Sequence, residues 1–360
     1  MRRFELVGGG HNKFWEISQS DTQVTVHFGR IGTKGQTQSK DLRSWEEAAE
    51  RVRKLVAEKV REGYVEGEGS GPRVEDEPGF RRPPTLPPYE VPSLPEDGPL
   101  AIGGVHLQPG RRLRGDSKFH PMGVEPVEQP VIWATDKRVE EAGRTLYLLR
   151  QPAAVLNLVP VLLSGMEDEP NRPWNSAEFC PTDPRRATFV DVPAELAKAW
   201  QGNLGEEDEE PSASLRPFGK KFPGLARQPS DGRGNTDDRD VLEQIRDRHV
   251  GLVAADRPAD AIAAVGWSGA VYVHEDPALL SAVLRSWEVR WNARLVEMGF
   301  DTLTLTVGNP PRDEKTAVAL AAEHFAMCPD NIWQGSAGLE TIEAYGKSLT
   351  QNRIWEFWWD

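Results

Sequence analysis

The chain has 360 residues, 38% hydrophobic and 28% charged, a globular balance that supports two or three cored domains. Its net charge of −13, from 43 Lys+Arg against 56 Asp+Glu, excludes a basic nucleic-acid coat over the whole length. No run approaches the ~20 apolar residues of a membrane span, the opening MRRFELVGGG lacks the apolar core of a signal peptide, and two cysteines, Cys180 and Cys328, exclude a disulfide framework. The expectation is a cytoplasmic protein with no membrane contact.

Residues 1–66 read as a first domain. Lys13 to Ile17 and Gln23 to Phe28 alternate as strands, with turn residues between them. Gly29-Arg30-Ile31-Gly32-Thr33-Lys34-Gly35 then breaks the strand pattern with three glycines, which predicts tight turns or a bulge. Ser44-Trp45-Glu46-Glu47 is a capping box, and Ala49, Val52, Val56 and Val60 recur at helical spacing, widened by Leu55. The prediction is a small antiparallel sheet crossed by one helix. This segment carries 12 Lys+Arg against 10 Asp+Glu, a net +2, so the remainder carries −15.

Phe28-Gly29-Arg30, the following Ile31-Gly32-Thr33-Lys34-Gly35-Gln36 and the helix end Lys59-Val60-Arg61-Glu62-Gly63-Tyr64 resemble the WGR domain. The resemblance covers most of residues 3–66. The family's signature tryptophan is Phe28 here. The resemblance implies a module of DNA-dependent poly(ADP-ribose) polymerases and bacterial regulators, in which the signature aromatic packs on a terminal nucleotide. The same module's arginine and its basic neighbours meet phosphate or a partner domain. Candidate nucleic-acid contacts are therefore Phe28, Arg30, Lys34, Lys40 and Arg43, at DNA ends or nicks. An aromatic beside glycine leaves room for a base or sugar, and the basic residues suit phosphates. The alternative is equally open: Phe28 as core, and Arg30 as a structural or protein-docking group.

Residues 67–100 hold nine prolines and five glycines and read as a semi-extended linker. Residues 101–200 form the first part of a second unit, with predicted strands at Val131 to Trp133, Thr145 to Leu149 and Val155 to Leu163, and a short helix from Pro193 toward Trp200. Residues 201–240 carry the acidic run Glu206 to Glu210 and read as a solvated loop.

Residues 241–360 alternate strands and helices. Strands are predicted at Gly251 to Ala255, Ala270 to Val273, Phe300 to Val307 and Ile354 to Trp359. Asp256 is placed as the cap of a short helix through Val265. A long helix opens at Asp276-Pro277 and buries Leu280, Val283, Leu284, Trp287, Trp291, Leu295 and Met298 before Gly299 stops it. Further helices span Asp313 to Met327 and Leu339 to Leu349. The overall class is α+β, a small antiparallel sheet with one helix followed by a larger mixed sheet covered by helices. Gly266-Trp267, Arg285-Ser286-Trp287-Glu288, Ala322-Glu323-His324-Phe325, Cys328-Pro329-Asp330-Asn331-Ile332-Trp333-Gln334-Gly335 and the closing Phe357-Trp358-Trp359-Asp360 resemble a bacterial family described only as a domain of unknown function.

The candidate chemistry in this half is thin. Glu323, Asp301, Asp330 and Asn331 are polar groups beside apolar runs, and Glu323, His324, Asp330 and Asn331 are the candidate catalytic set. His324 and Cys328 lie one turn apart, but two ligands without a second pair do not make a metal site, so no metal is expected. Cys328 with His324 as its base lacks a third orienting group. Gly8-Gly9-Gly10 is followed by no Lys-Ser/Thr, and no cofactor is expected. Trp355 and Trp359 should share one face of the last strand and Trp358 the other. The leading reading is a non-enzymatic WGR-like module that binds nucleic acid ends or a partner protein, tethered to an acidic, tryptophan-rich interaction unit. The alternatives are an uncharacterised enzyme in 101–360 that the first domain targets, and a purely protein-binding regulatory or conflict-system component.

Overall fold

A computed structural model describes residues 2–8, 11–30, 36–43, 45, 48–49, 51–52, 55–56, 59, 65–67, 89–116, 119, 127–166, 168–204, 213–227, 237–270, 274 and 276–359. Lys34 and the turn at 31–35, Ser44 and Glu47 of the capping box, the acidic run at 206–210 and most of the strand expected at 270–273 lie outside those residues. The fold is α+β and divides into two compact units, Met1–Thr85 and Leu86–Asp360.

The first unit is a five-stranded antiparallel sheet in the order β4-β3-β2-β1-β5. Its strands are β1 (Arg2–Gly8), β2 (His11–Ser20), β3 (Gln23–Arg30), β4 (Gln36–Asp41) and β5 (Val65–Gly67). The described residues between 45 and 59 include helical positions that supply the core's other wall. Strand parity selects the core side chains. Phe4, Trp15, Ile17 and Val24 are buried with Ala48, and Val52, Leu55 and Val56 of the helix pack against them. Val52, Leu55 and Val56 of the predicted stripe are among these, whereas Ala48 takes the buried place expected for Ala49 and Val60 lies outside the described residues.

The second unit is built on an eight-stranded sheet in the order β13-β12-β11-β9-β10-β8-β7-β6. The strands are β6 (Gly98–Ile102), β7 (Val105–Leu113), β8 (Ile132–Thr135), β9 (Leu158–Leu163), β10 (His249–Ala254), β11 (Ala293–Met298), β12 (Thr302–Val307) and β13 (Ile354–Trp358). Among the described residues only the β9–β11 pairing is parallel. The helices are α1 (Ala142–Ala154), α2 (Val192–Gly202), α3 (Arg239–Leu242), α4 (Ala261–Val265), α5 (Pro277–Trp291), α6 (Glu314–Met327), α7 (Asp330–Trp333) and α8 (Ile342–Ser348).

The sheet separates two cores. One face takes Val159, Val161, Leu163, Leu305 and Phe357 and lies against α5 and α6. The other takes Leu158, Leu162, Val250 and Leu252 and lies against α1. Central β9 is buried on both sides, which explains its unbroken apolar run.

Four expectations are corrected. Thr145 to Leu149 is part of α1 and not a strand. Ala142, Leu146, Leu149 and Ala153 are its buried residues, and their three-to-four spacing outweighs the strand-like composition of TLYLL. The strand expected from Val155 starts at Leu158, because Asn157 takes a left-handed turn (φ 54°) and Val155 is exposed. The long helix stops at Trp291, where Asn292 is a left-handed cap (φ 49°), so Leu295 and Met298 belong to β11. Asp256 caps nothing; a 3-10 turn at Pro258–Asp260 leads into α4. The proline-rich stretch also divides: Val91 and Leu94 pack into the second unit, and the Tyr89 hydroxyl donates to the Ala254 carbonyl at 3.3 Å.

Candidate functional site

In the first unit, Phe28 stands opposite Trp15, and Trp15 opposite Phe4. The three aromatics form one row across β3, β2 and β1. The Phe4 and Trp15 rings are 5.5 Å apart and buried, whereas Phe28 at the end of the row is half-buried against the same core. Phe28 is thus both a packing residue and a surface one. Arg30 ends β3 as the register partner of Lys13. Lys40 on β4 and Arg43 just beyond it are exposed.

Sequence reasoning missed the row on alternate residues of the same strands. Glu16 is buried, accepts a hydrogen bond from Arg3 Nη1 at 2.6 Å, and lies 2.6 Å from His27 Nδ1. Arg3 sits 4.6 Å over the Phe14 ring. Burial opposes ionisation of Glu16, but the bonds to His27 and Arg3 and their charge win and hold its pKa below the usual carboxylate value. Register places Arg3, Glu16 and His27 side by side, a fact that follows only once three strands are paired.

In the second unit the four catalytic candidates do not form one constellation. Glu323 on α6 is fully buried. It accepts from Arg290 Nη1 at 2.8 Å, Arg290 Nη2 at 2.5 Å, Trp287 Nε1 at 3.0 Å and the Ala226 amide at 2.7 Å. All four donors come from the protein, so this carboxylate joins α5, α6 and residue 226. His324 is fully buried among Trp287, Trp355 and Phe357, with ring centroids 4.7, 4.8 and 4.9 Å away. Burial, and then the Arg290 charge, push its pKa well below the ordinary histidine value, so the ring is neutral.

Asp330 is buried and Asn331 half-buried. Both line a cleft of about 770 Å³. Asp330 accepts from Gln334 Nε2 at 3.1 Å. Asn331 is a clamp on the edge strand: Nδ2 donates to the Glu356 carbonyl at 2.7 Å, and Oδ1 accepts from the Trp358 amide at 3.1 Å. Its Nδ2 also donates to the Tyr345 hydroxyl, which lies 3.0 Å from His324 Nδ1. The Cys328 thiol donates to the Trp358 carbonyl at 2.9 Å and to Asn331 Oδ1 at 3.3 Å, and burial pushes its pKa up to about 12. A thiol held in that state is a poor nucleophile. Trp355 and Trp359 are buried and Trp358 is 37% exposed, as period-two alternation requires. Among the described residues no group of three or more His, Cys, Asp or Glu side chains could hold a metal ion. No helix among them is long and apolar enough to cross a membrane.

Comparison with known proteins finds two family matches within the chain. Residues 1–70 match the WGR domain, and residues 249–360 match DUF4253, a domain of unknown function. Protein YehF of Escherichia coli K12 is 39% identical over 66 residues, 18% of this chain and 24% of its own length. The uncharacterized protein YfeS of the same organism is 34% identical over 65 residues, 18% of this chain and 27% of its own. The chain thus spans about a quarter of the length of these curated relatives. A solved protein of Bacteroides fragilis is 41% identical and covers 21% of each chain, with a TM-score of 0.19. The chain therefore carries a WGR domain at 1–70 and a DUF4253 domain at 249–360.

Proposed function

We propose that the WGR unit binds a nucleic acid end or nick, and that the acidic second unit carries contacts to protein. The observation that supports this most is the half-buried Phe28: its row mates Phe4 and Trp15 are buried, and it keeps part of its ring at the surface. A ring in that position offers a stacking face to a terminal base or sugar. Arg30, Lys34, Lys40 and Arg43 supply phosphate contacts, which position the nucleic acid without reading its sequence. The net charge of +2 over residues 1–66 limits these contacts to a few. Four of them give a log–log salt slope of about −3.6, so binding is modest and salt-sensitive.

The test is binding of labelled intact, nicked and 5′-phosphorylated duplexes to the full chain at two salt concentrations. The proposal expects preference for the nicked or phosphorylated duplex and loss of that preference in Phe28→Ala/Arg30→Ala. Equal binding of all duplexes by wild type and variant rejects end recognition and leaves partner docking as the role of this unit. The enzyme reading of 101–360 is left with Asp330 and Asn331 at the cleft, since Glu323 and His324 are fully buried.

A further inference from the structure

The cleft in the second unit has an architectural origin. Helix α1 covers its face of the sheet over β9, β10, β7 and β6, while the same face of β11, β12 and β13 borders the cleft. A bulge in β11 gives this open part its chemistry. Leu305 pairs with Leu295 and Thr304 with Glu297, so Val296 is an extra residue. Leu295 and Met298 consequently share the α5–α6 core, and Glu297 turns to the opposite face. Unbulged alternation would aim the carboxylate into the apolar core. Glu297, Thr304 and Glu356 then lie in one register row, with Thr302 and Trp358 in the next but one.

Three carboxylates, Glu297, Asp330 and Glu356, stand here against two guanidiniums, Arg248 and Arg138, a net −1. Arg248 Nε donates to Glu297 at 2.7 Å, and Gln334 donates to Asp330 at 3.1 Å. Glu356 and Arg138, both exposed, add one charge of each sign. That set disfavours an anion, and two of its carboxylates, Glu297 and Asp330, are already engaged by Arg248 and Gln334. The remaining chemistry is hydroxyls and an amide from Ser164, Thr302, Thr304, Gln334 and Ser336, together with the Trp358 indole, 37% exposed. About 770 Å³ is within the usual range for a small-ligand site.

We propose that this cleft binds a neutral, hydroxyl-rich ligand, a sugar or short oligosaccharide. Trp358 lies under its C–H face, and Thr302, Thr304, Gln334 and Ser336 bond its hydroxyls. Trp358 is pre-positioned for this, because its backbone amide and carbonyl are fixed by Asn331 and Cys328. The proposal does not depend on nucleic-acid binding by the first unit.

The test is calorimetric titration of the full chain with maltotriose, cellotriose, triacetylchitotriose, a lysine-containing peptide and inorganic phosphate. At least one of the neutral sugars should bind saturably, with affinity nearly unchanged between low and high salt because no net charge is exchanged. Thr304→Val, which keeps side-chain shape and removes the hydroxyl, should weaken it about two- to tenfold. Trp358→Ala should weaken it at least about tenfold through lost apolar contact. Phe189→Ala, which removes an exposed aromatic on a different segment, should leave it unchanged. Thermal melts confirm that each variant is folded, and Thr304→Val decides the matter if Trp358→Ala is not. Binding of the peptide or phosphate alone, binding that falls steeply with salt, no saturable sugar binding, or equal loss in Phe189→Ala overturns the proposal.

Discussion

The two units treat their motif residues in opposite ways. In the WGR unit, Lys40 and Arg43 are exposed, and Phe28 stands at the boundary between core and solvent. In the second unit, Glu323, His324, Cys328, Trp355, Phe357 and Trp359 are buried. A string of polar and aromatic residues has different meanings in these two settings. On a five-stranded sheet with a small core, some motif side chains stay at the surface, although Arg3, Phe14 and Glu16 are buried outside that core. On an eight-stranded sheet with helices on both faces, the same residue types serve as connectors inside the core. Glu323 illustrates this: its four donors come from α5 and from residue 226, and none from a cleft.

The largest expected effect follows from that connector. Glu323→Ala leaves Arg290 facing the interior without its carboxylate and should cost about 3–5 kcal/mol, read as the loss of midpoint in chemical denaturation. A cost under about 1 kcal/mol would show that the carboxylate is dispensable and would remove the main contrast between the units.

A smaller effect is set by pH. His274 and His324 are buried, and burial lowers the pKa of both in the folded state, with the Arg290 charge adding to it at His324. The unfolded chain therefore takes up protons first as pH falls through the ordinary histidine value of about 6.5. Stability should be full above that value and decline below it, by up to about 1.4 kcal/mol per pH unit for each histidine. His324→Asn should flatten the decline between neutral and mildly acidic pH. An unchanged slope would place the protons elsewhere.

The smallest effect is at a helix end. Asp313 accepts from the Thr316 amide at 2.9 Å and opens α6. Asp313→Ala should cost about 1 kcal/mol. A larger loss would mean that this exposed cap is tied to the core that holds Glu323.

Much of this fold was legible because local rules agreed with tertiary demands. Alternation in β2, β3 and β13, the Asp276-Pro277 start of α5 and the Asp313 start of α6 all appear where the sequence places them. The failures came where one local signal had two readings. TLYLL has strand composition and helical spacing, and burial of Leu146 and Leu149 decided for the helix. The apolar spacing from Leu280 runs on to Met298, and nothing in it marks the left-handed turn at Asn292. The candidate sites were less legible still. Arg290 and Glu323 are separated by 33 positions, Glu16 meets Arg3 and His27 only through strand pairing, and Glu297 faces the cleft only because of a bulge. Sequence spacing carries none of these relations.

The most direct test of the contrast is a crossed measurement on the full chain. Duplex-end binding by fluorescence anisotropy and denaturation midpoint are read for Phe28→Trp, Phe28→Ala and Glu323→Ala. The account predicts that Phe28→Trp keeps end binding, that Phe28→Ala loses it with the second unit's unfolding transition unmoved, and that Glu323→Ala lowers that transition while end binding persists below it. End binding that survives Phe28→Ala, or that is lost in folded Glu323→Ala, would contradict it.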